Sequence, residues 1–192
     1  MAERMDAGAD GAAESDVRRR KMRWIAGAAG WIALGAIVLV VGYEGFLALD
    51  RAAMRAEMLA KAPADTARNA SDGAVLVAWL IALVPTGIFL AAMWQVRRLF
   101  RLLASAPLFH PALPGLLRSL GGLAIAGTVA GFLARTLTVL ALTLGNPPGQ
   151  RQLTIGLGSD EITSLIVGLL FFAFALVMQE ALRLEEDNRS IV

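Results

Sequence analysis

Cysteine is absent from this sequence of 192 residues, and histidine occurs only once, as His110. The lack of cysteine excludes disulfides, thiolate nucleophiles and cysteine-bound metals, and the single histidine excludes a site built from several histidines. The metalloprotease motif HExxH, the hydrolase motif GxSxG and paired aspartates within an apolar run are also missing. We therefore predict a protein that is not an enzyme and that binds no cofactor or metal.

A strong net charge is lacking as well, because the formal charge is only +2 and charged residues make up 18% of the chain. Without an extended basic surface we do not expect direct binding to nucleic acid. Hydrophobic residues make up 57% of the sequence, and the mean hydropathy is +0.61. Soluble domains are about 45–50% apolar, so the lipid bilayer is the expected solvent and partner of this chain.

The apolar residues are concentrated in four long runs, at about residues 24–49, 74–95, 120–146 and 162–179. About 20 apolar residues are enough for a helix to cross a bilayer. The sequence therefore predicts an all-α integral membrane protein with four transmembrane helices, in one domain over residues 18–192. Residues 1–17 are rich in alanine, glycine and acid, so they have little apolar surface to bury and are predicted to be a disordered tail.

Basic residues are distributed unequally between the segments that flank these runs. Twelve lysines and arginines lie on the side that holds both termini, and five lie on the opposite side. Because the cytoplasmic segments of membrane proteins carry the excess of lysine and arginine, both termini are predicted to be cytoplasmic. We accordingly expect a multi-pass protein of the bacterial inner (cytoplasmic) membrane.

The segment between the second and third runs is predicted to be a cytoplasmic amphipathic bend. Its leucines, Leu99, Leu102 and Leu103, share one helical face, whereas Arg97 and Arg101 lie on another. A helix of this kind lies favourably at the level of the lipid headgroups. Three prolines follow, at positions 107, 111 and 114, and force the chain to turn before the third run.

The third run contains a single charged residue, Arg135. Gly127 and Gly131 form a GxxxG pair on the same helical stripe, and small residues of this kind let a neighbouring helix approach closely. The stripe is therefore predicted to face protein rather than lipid. A charge inside a membrane span is costly without a partner, so Arg135 is expected to be paired.

The predicted partner of Arg135 is Glu44, in the outer half of the first span, and Asp160 or Glu161 is the reserve. Three roles are open for the intramembrane pair of Arg135 and Glu44. It ties spans one and three together as a structural ion pair, it forms a site for an anionic ligand or a permeation step, or the arginine reaches water by extending its long side chain.

Two segments of the chain are similar to the bacterial family of small four-span membrane proteins known as domain of unknown function 2975. The bend APLFHPALPGLLRSLGGLAIAG carries Phe109, Arg118, Leu120 and Gly121 at the places of the family pattern. The closing segment MQEALRLEEDNRSIV carries Glu180, Ala181, Leu184, Glu186, Asp187, Asn188 and Val192. The resemblance extends over residues 24–192 and implies four spans, a membrane location and no established activity.

Members of that family are often encoded beside a helix-turn-helix regulator, which implies a regulatory partner. We therefore predict a non-catalytic regulatory or accessory subunit that contacts a protein partner, or a second copy of itself, through its cytoplasmic bend and C-terminal tail. The predicted contact residues are Phe109, Arg118, Glu186 and Asn188, with the bend packed near the end of span four. The alternative is a small-solute or ion transporter or channel that acts as a homo-oligomer and uses Arg135 and Glu44.

Overall fold

The structure, a computed structural model, describes residues 2–62, 70–105, 110–146 and 159–190. Within this part of the chain it contains five α-helices, which are α1 (Ala2–Leu49), α2 (Arg51–Ala60), α3 (Asp72–Ser105), α4 (Leu113–Thr143) and α5 (Ser159–Ser190). Four of them contain segments long and apolar enough to cross a membrane, namely Trp24–Leu49, Asp72–Ser105, Leu113–Thr143 and Glu161–Asp187. The four apolar helices predicted from the sequence are thereby confirmed.

Two of these helices, α3 and α5, extend well beyond the apolar runs from which they were predicted. The amphipathic segment after the second run is the last part of α3, as its helical pattern predicts, and within it Leu99 is buried and Leu103 is exposed. The acidic segment after the fourth run likewise continues α5 as far as Ser190. Hydropathy alone marks only the part of a helix that suits lipid, and the pattern of the flanking residues indicates that the helix continues.

The N-terminal segment differs from the prediction. Residues 1–17 are predicted to be a disordered tail, but α1 is helical from Ala2 and runs without a break into the first apolar segment. Alanine, glutamate, methionine and arginine are all strong helix formers, and they are frequent in this segment. A helix that has already formed is extended more easily than a new one is nucleated, which favours continuation of α1 through this segment.

The long helices form a row in the order α1, α3, α4, α5. The principal contacts join α1 to α3, α3 to α4 and α4 to α5, while α2 packs against α3 and α1. Other pairs among the described helices have at most marginal contact. The helices therefore do not close into a four-helix bundle, and α3 separates α1 from α4.

One hydrophobic cluster lies at each end of the long helices: the α2 end, where α2 lies between α1 and α3 in the chain, and the bend end, where α4 follows α3. At the α2 end, the cluster is formed by Leu47, Met54, Met58, Ala70, Val75, Ala78 and Leu142. At the bend end, where α3 stops and α4 starts, the cluster is formed by Leu99, Leu113, Leu116 and Leu120. Large apolar side chains elsewhere are widely exposed, for example Trp31 (72%), Leu39 (71%) and Val177 (68%). Surface of this kind is typical of helices that face lipid.

Helix α2 is fixed at the α2 end by a cap and by charged contacts. The Asp50 carboxylate accepts hydrogen bonds from the backbone N–H groups of Ala52 and Ala53 at 2.9 and 3.1 Å, so a new helix starts there. Arg55 forms a 2.7 Å ion pair with Asp72 at the start of α3. Helix α2 thus packs against α3 and α1, and its own side chains Met54 and Met58 are buried.

Candidate functional site

The charge inside the third span is paired, but its partner is Glu161 rather than the predicted Glu44. The Arg135 Nη2 atom lies 3.1 Å from Glu161 Oε1; the arginine side chain is 49% exposed and the glutamate 9%. Glu161 is the third residue of α5, and a carboxylate in the first turn also interacts favourably with the positive end of the helix dipole. The pair therefore joins α4 to α5 near the α2 end of the row.

The reason for this correction is the order of the helices. The prediction of Glu44 depends on depth in the membrane. The first and third spans are predicted to run in the same direction, with Glu44 and Arg135 both in their outer halves. Depth along a helix does not determine which helix is the neighbour, and α3 lies between α1 and α4. The reserve partner, Glu161, is the one that the neighbouring helix brings within reach.

Glu44 is held by α3 instead. Its carboxylate accepts a hydrogen bond from the Trp79 indole N–H at 3.0 Å and lies 3.3 Å from the Thr86 hydroxyl, whose single proton is shared with the Ala82 carbonyl oxygen at 3.0 Å. The two donors are seven residues apart, so they lie on one face of α3. Sequence reasoning missed both residues. The available signal was that they are hydrogen-bond donors in an otherwise apolar run, seven residues apart.

The glycines of the third span behave differently from the GxxxG prediction. A Cβ atom added to Gly127 would meet only Ile88 at an ordinary contact of 3.6 Å, and one added to Gly131 would meet nothing within 4 Å. The close approach lies at Gly121 instead, where an added Cβ would be 2.8 Å from both the Gly168 carbonyl oxygen and the Phe172 ring. The α4–α5 crossing therefore depends on Gly121 and Gly168.

Residues of the bend and of α5 line a common groove at the bend end. The groove has a volume of about 500 Å³, and its charged lining residues are Arg118, Glu180, Arg183 and Glu186. The Arg118 Nη2 atom donates a hydrogen bond to Gln179 Oε1 at 3.4 Å, which connects α4 to α5 there. Of the four predicted contact residues, the structure thus brings Arg118 and Glu186 to one groove.

The other two predicted contact residues are Phe109 and Asn188. Asn188 belongs to the last turns of α5, and Phe109 lies outside the described residues. Their predicted role in a contact stays a prediction. Among the residues that the structure describes, no three histidine, cysteine, aspartate or glutamate side chains come together as a group that could hold a metal ion.

Comparisons with known proteins give one match. No curated protein and no solved structure matches the chain. The family model described as "Protein of unknown function (DUF2975)" matches residues 58–192. The matched region contains the Arg135–Glu161 pair, the Gly121–Gly168 crossing and the groove at the bend end, whereas α1 with Glu44 precedes it. Since the match covers more than half of the sequence, the chain belongs to this family of proteins of unknown function.

Proposed function

We infer that the protein is a non-catalytic accessory or regulatory subunit of the bacterial inner membrane, with both termini in the cytoplasm. Its contact site for a protein partner is the groove between the start of α4 and the last turns of α5. The observation that carries this proposal is the groove itself, because it joins the bend and the C-terminal helix, the two segments that carry the family resemblance, into one surface.

The charges of the groove favour a protein partner. Two arginines, Arg118 and Arg183, and two glutamates, Glu180 and Glu186, line it, and all four side chains are exposed. Surfaces with both signs of charge steer and select protein partners, which carry both signs as well. A lipid surface, in contrast, favours basic residues.

The orientation is supported by the basic residues near the groove. Arg97, Arg98 and Arg101, in the last turns of α3, lie at the same end as Arg118. Cytoplasmic segments carry this excess of positive charge, so the bend end faces the cytoplasm. In that orientation a cytoplasmic partner has direct access to the groove.

The test is affinity purification of the full chain from native membranes in mild detergent, with co-purifying proteins identified and quantified. We expect a partner whose recovery falls by about tenfold or more when the groove charges are reversed by Arg183→Glu and Glu186→Arg. The matched control is Arg51→Glu, an exposed charge reversal at the α2 end, which should leave recovery unchanged. Equal recovery from all variants would contradict the proposal.

A transporter or channel built from several copies is the second candidate. The observation that favours it is Arg135, whose side chain is 49% exposed within an apolar helix and can therefore reach a ligand or a neighbouring copy. A single chain offers little enclosed space, because its described helices lie in a row. Purified protein that increases ion or solute flux in liposomes, and loses that flux on Arg135→Gln, would favour this candidate over the accessory subunit.

A further inference from the structure

A second cavity lies at the bend end, on the other side of α4 from the groove. It has a volume of about 680 Å³ and is formed between the last turns of α3 and the first turns of α4. Its basic lining residues are Arg98, Arg101 and His110, and none of its lining residues is acidic. Neither arginine has an ion pair with a carboxylate in the described part of the chain, so both guanidinium groups are available.

His110 and the start of α4 add hydrogen-bond donors to this cavity. The His110 Nδ1 atom accepts a hydrogen bond from the Ala112 backbone N–H at 3.2 Å, so in the neutral ring the proton is on Nε2, where it can be donated. Helix α4 starts at Leu113, and its N-cap residue, Ala112, makes no side-chain cap bond. The positive end of the helix dipole therefore adds to the charge of the arginines.

One polar atom beside the cavity lacks a partner. The Gln95 amide donates to Ser119 Oγ at 3.1 Å, but its Oε1 atom is buried and has no hydrogen-bond partner. Both residues line the cavity. The Gln95–Ser119 pair adds uncharged polar groups to the wall of the cavity.

The cavity also has an apolar wall and lies where α3 leaves its apolar run. Leu102 and Leu116 are among its lining residues. The Arg97 guanidinium lies 5.9 Å from the centre of the Trp94 ring on the same part of α3, a pairing that suits the membrane–water interface. An amphiphile at this level would place its headgroup beside the arginines and its apolar part against the leucines.

We propose that this cavity binds a phosphate group, with Arg98 and Arg101 as the charged ligands and His110 as a further donor. The apolar wall beside the arginines suits an anionic phospholipid such as phosphatidylglycerol, whose phosphate would meet the arginines and whose apolar part would meet the leucines. A soluble phosphate ester such as glycerol 3-phosphate presents the same chemistry. The site is separate from the partner groove, and only Gly115 lines both.

The test uses the full chain, purified in detergent and depleted of lipid, with binding measured by native mass spectrometry and by thermal stabilisation. The probes are phosphatidylglycerol, zwitterionic phosphatidylcholine and glycerol 3-phosphate. We expect phosphatidylglycerol to bind and to stabilise the fold, and Arg98→Gln and Arg101→Gln each to weaken its binding by about tenfold, since each removes a charge-assisted hydrogen bond. His110→Ala should weaken it less.

The matched control is Arg97→Gln, the same change of charge on the same helix at a residue that does not line the cavity. It should bind phosphatidylglycerol as the unchanged protein does. Binding of glycerol 3-phosphate that depends on the same arginines would support the site and identify a soluble ligand. No binding of either phosphate probe, or equal losses in all three arginine variants, would overturn the proposal. Because the assay is in detergent, its outcome does not depend on the membrane orientation or on a protein partner.

Discussion

At the scale of the residue, two charged groups within the apolar runs, Arg135 and Glu44, are held by polar groups of a neighbouring helix. Arg135 of α4 is paired with Glu161 of α5, and Glu44 of α1 is held by Trp79 and Thr86 of α3. Because hydrocarbon offers no hydrogen bonds, each of these contacts fixes the helix pair in which it occurs. The sequence could predict that Arg135 needs a partner, but not which carboxylate supplies it, since that depends on helix order.

A double-mutant cycle tests the Arg135–Glu161 pair. Arg135→Leu should lower the thermal stability of the purified protein, because it leaves the 9%-exposed Glu161 without its cation. The double change Arg135→Leu with Glu161→Leu should restore much of the loss, with a coupling free energy of about 0.5–3 kcal/mol measured by denaturant unfolding. The control cycle combines Arg135→Leu with Glu44→Leu, which should be additive. Coupling to Glu44 and none to Glu161 would reverse the assignment.

The hydrogen bond from Trp79 to Glu44 is tested by Trp79→Phe, which keeps an aromatic ring but removes the indole N–H. We expect the free energy of unfolding to fall by about 1–2 kcal/mol, because the carboxylate loses one of its two donors. The matched control is Trp31→Phe, at a residue that is 72% exposed, and it should have little effect. Equal losses at the two positions would show that ring volume rather than the hydrogen bond is responsible.

At the scale of the element, the contact of α4 with α5 is set by small residues on both helices. Among the residues of α5 whose burial the structure describes, the buried ones are Glu161, Gly168 and Ala175, and they recur every seven residues. This spacing places them in one narrow stripe that faces α4. The sequence contained that stripe and also Gly121, but the GxxxG pair at Gly127 and Gly131 was the more conspicuous pattern. A glycine pattern shows that close approach is allowed, whereas the partner's surface decides where it occurs.

The crossing predicts opposite outcomes for two glycine-to-alanine changes on α4. Gly121→Ala places a methyl group 2.8 Å from the backbone of Gly168, so it should destabilise the protein by about 1–3 kcal/mol. Gly131→Ala meets nothing within 4 Å and should be neutral or slightly stabilising, because alanine favours the helix. Thermal melting in detergent, monitored by size-exclusion chromatography, distinguishes them. A greater loss for Gly131→Ala would place the crossing elsewhere on α4.

At the scale of the whole molecule, the four apolar helices could be predicted from hydropathy, but their arrangement in a row could not. Apolar side chains surround these helices on most sides, so periodicity does not reveal which face meets protein. The polar contacts between neighbours depend on that arrangement, and for the same reason the hydrogen bonds of Trp79, Thr86 and Ser119 could not be predicted from the sequence. The inferred orientation in the membrane depends on charge alone.

That orientation is tested with single cysteines, which the chain naturally lacks. In intact spheroplasts, a membrane-impermeant maleimide should label Ala60→Cys, on the exposed side of α2, and should not label Ser105→Cys, at the exposed end of α3. After the membrane is permeabilised, both should be labelled, which controls for reactivity. Labelling of Ser105→Cys alone in intact spheroplasts would invert the topology.

The row has the same order as the chain, and this has a consequence for synthesis. Each long helix packs against the long helix made before it, so a newly inserted span meets its final neighbour at once. A charged group, however, gains its partner only when the next long helix follows: Glu44 is made before Trp79 of α3, and Arg135 is made before Glu161 at the start of α5. The 26 residues between positions 135 and 161 take about 1–5 s to translate, at roughly 5–20 residues per second. During that interval the Arg135 guanidinium lacks the Glu161 carboxylate, so we expect α5 to stabilise α4 in the membrane once it is inserted.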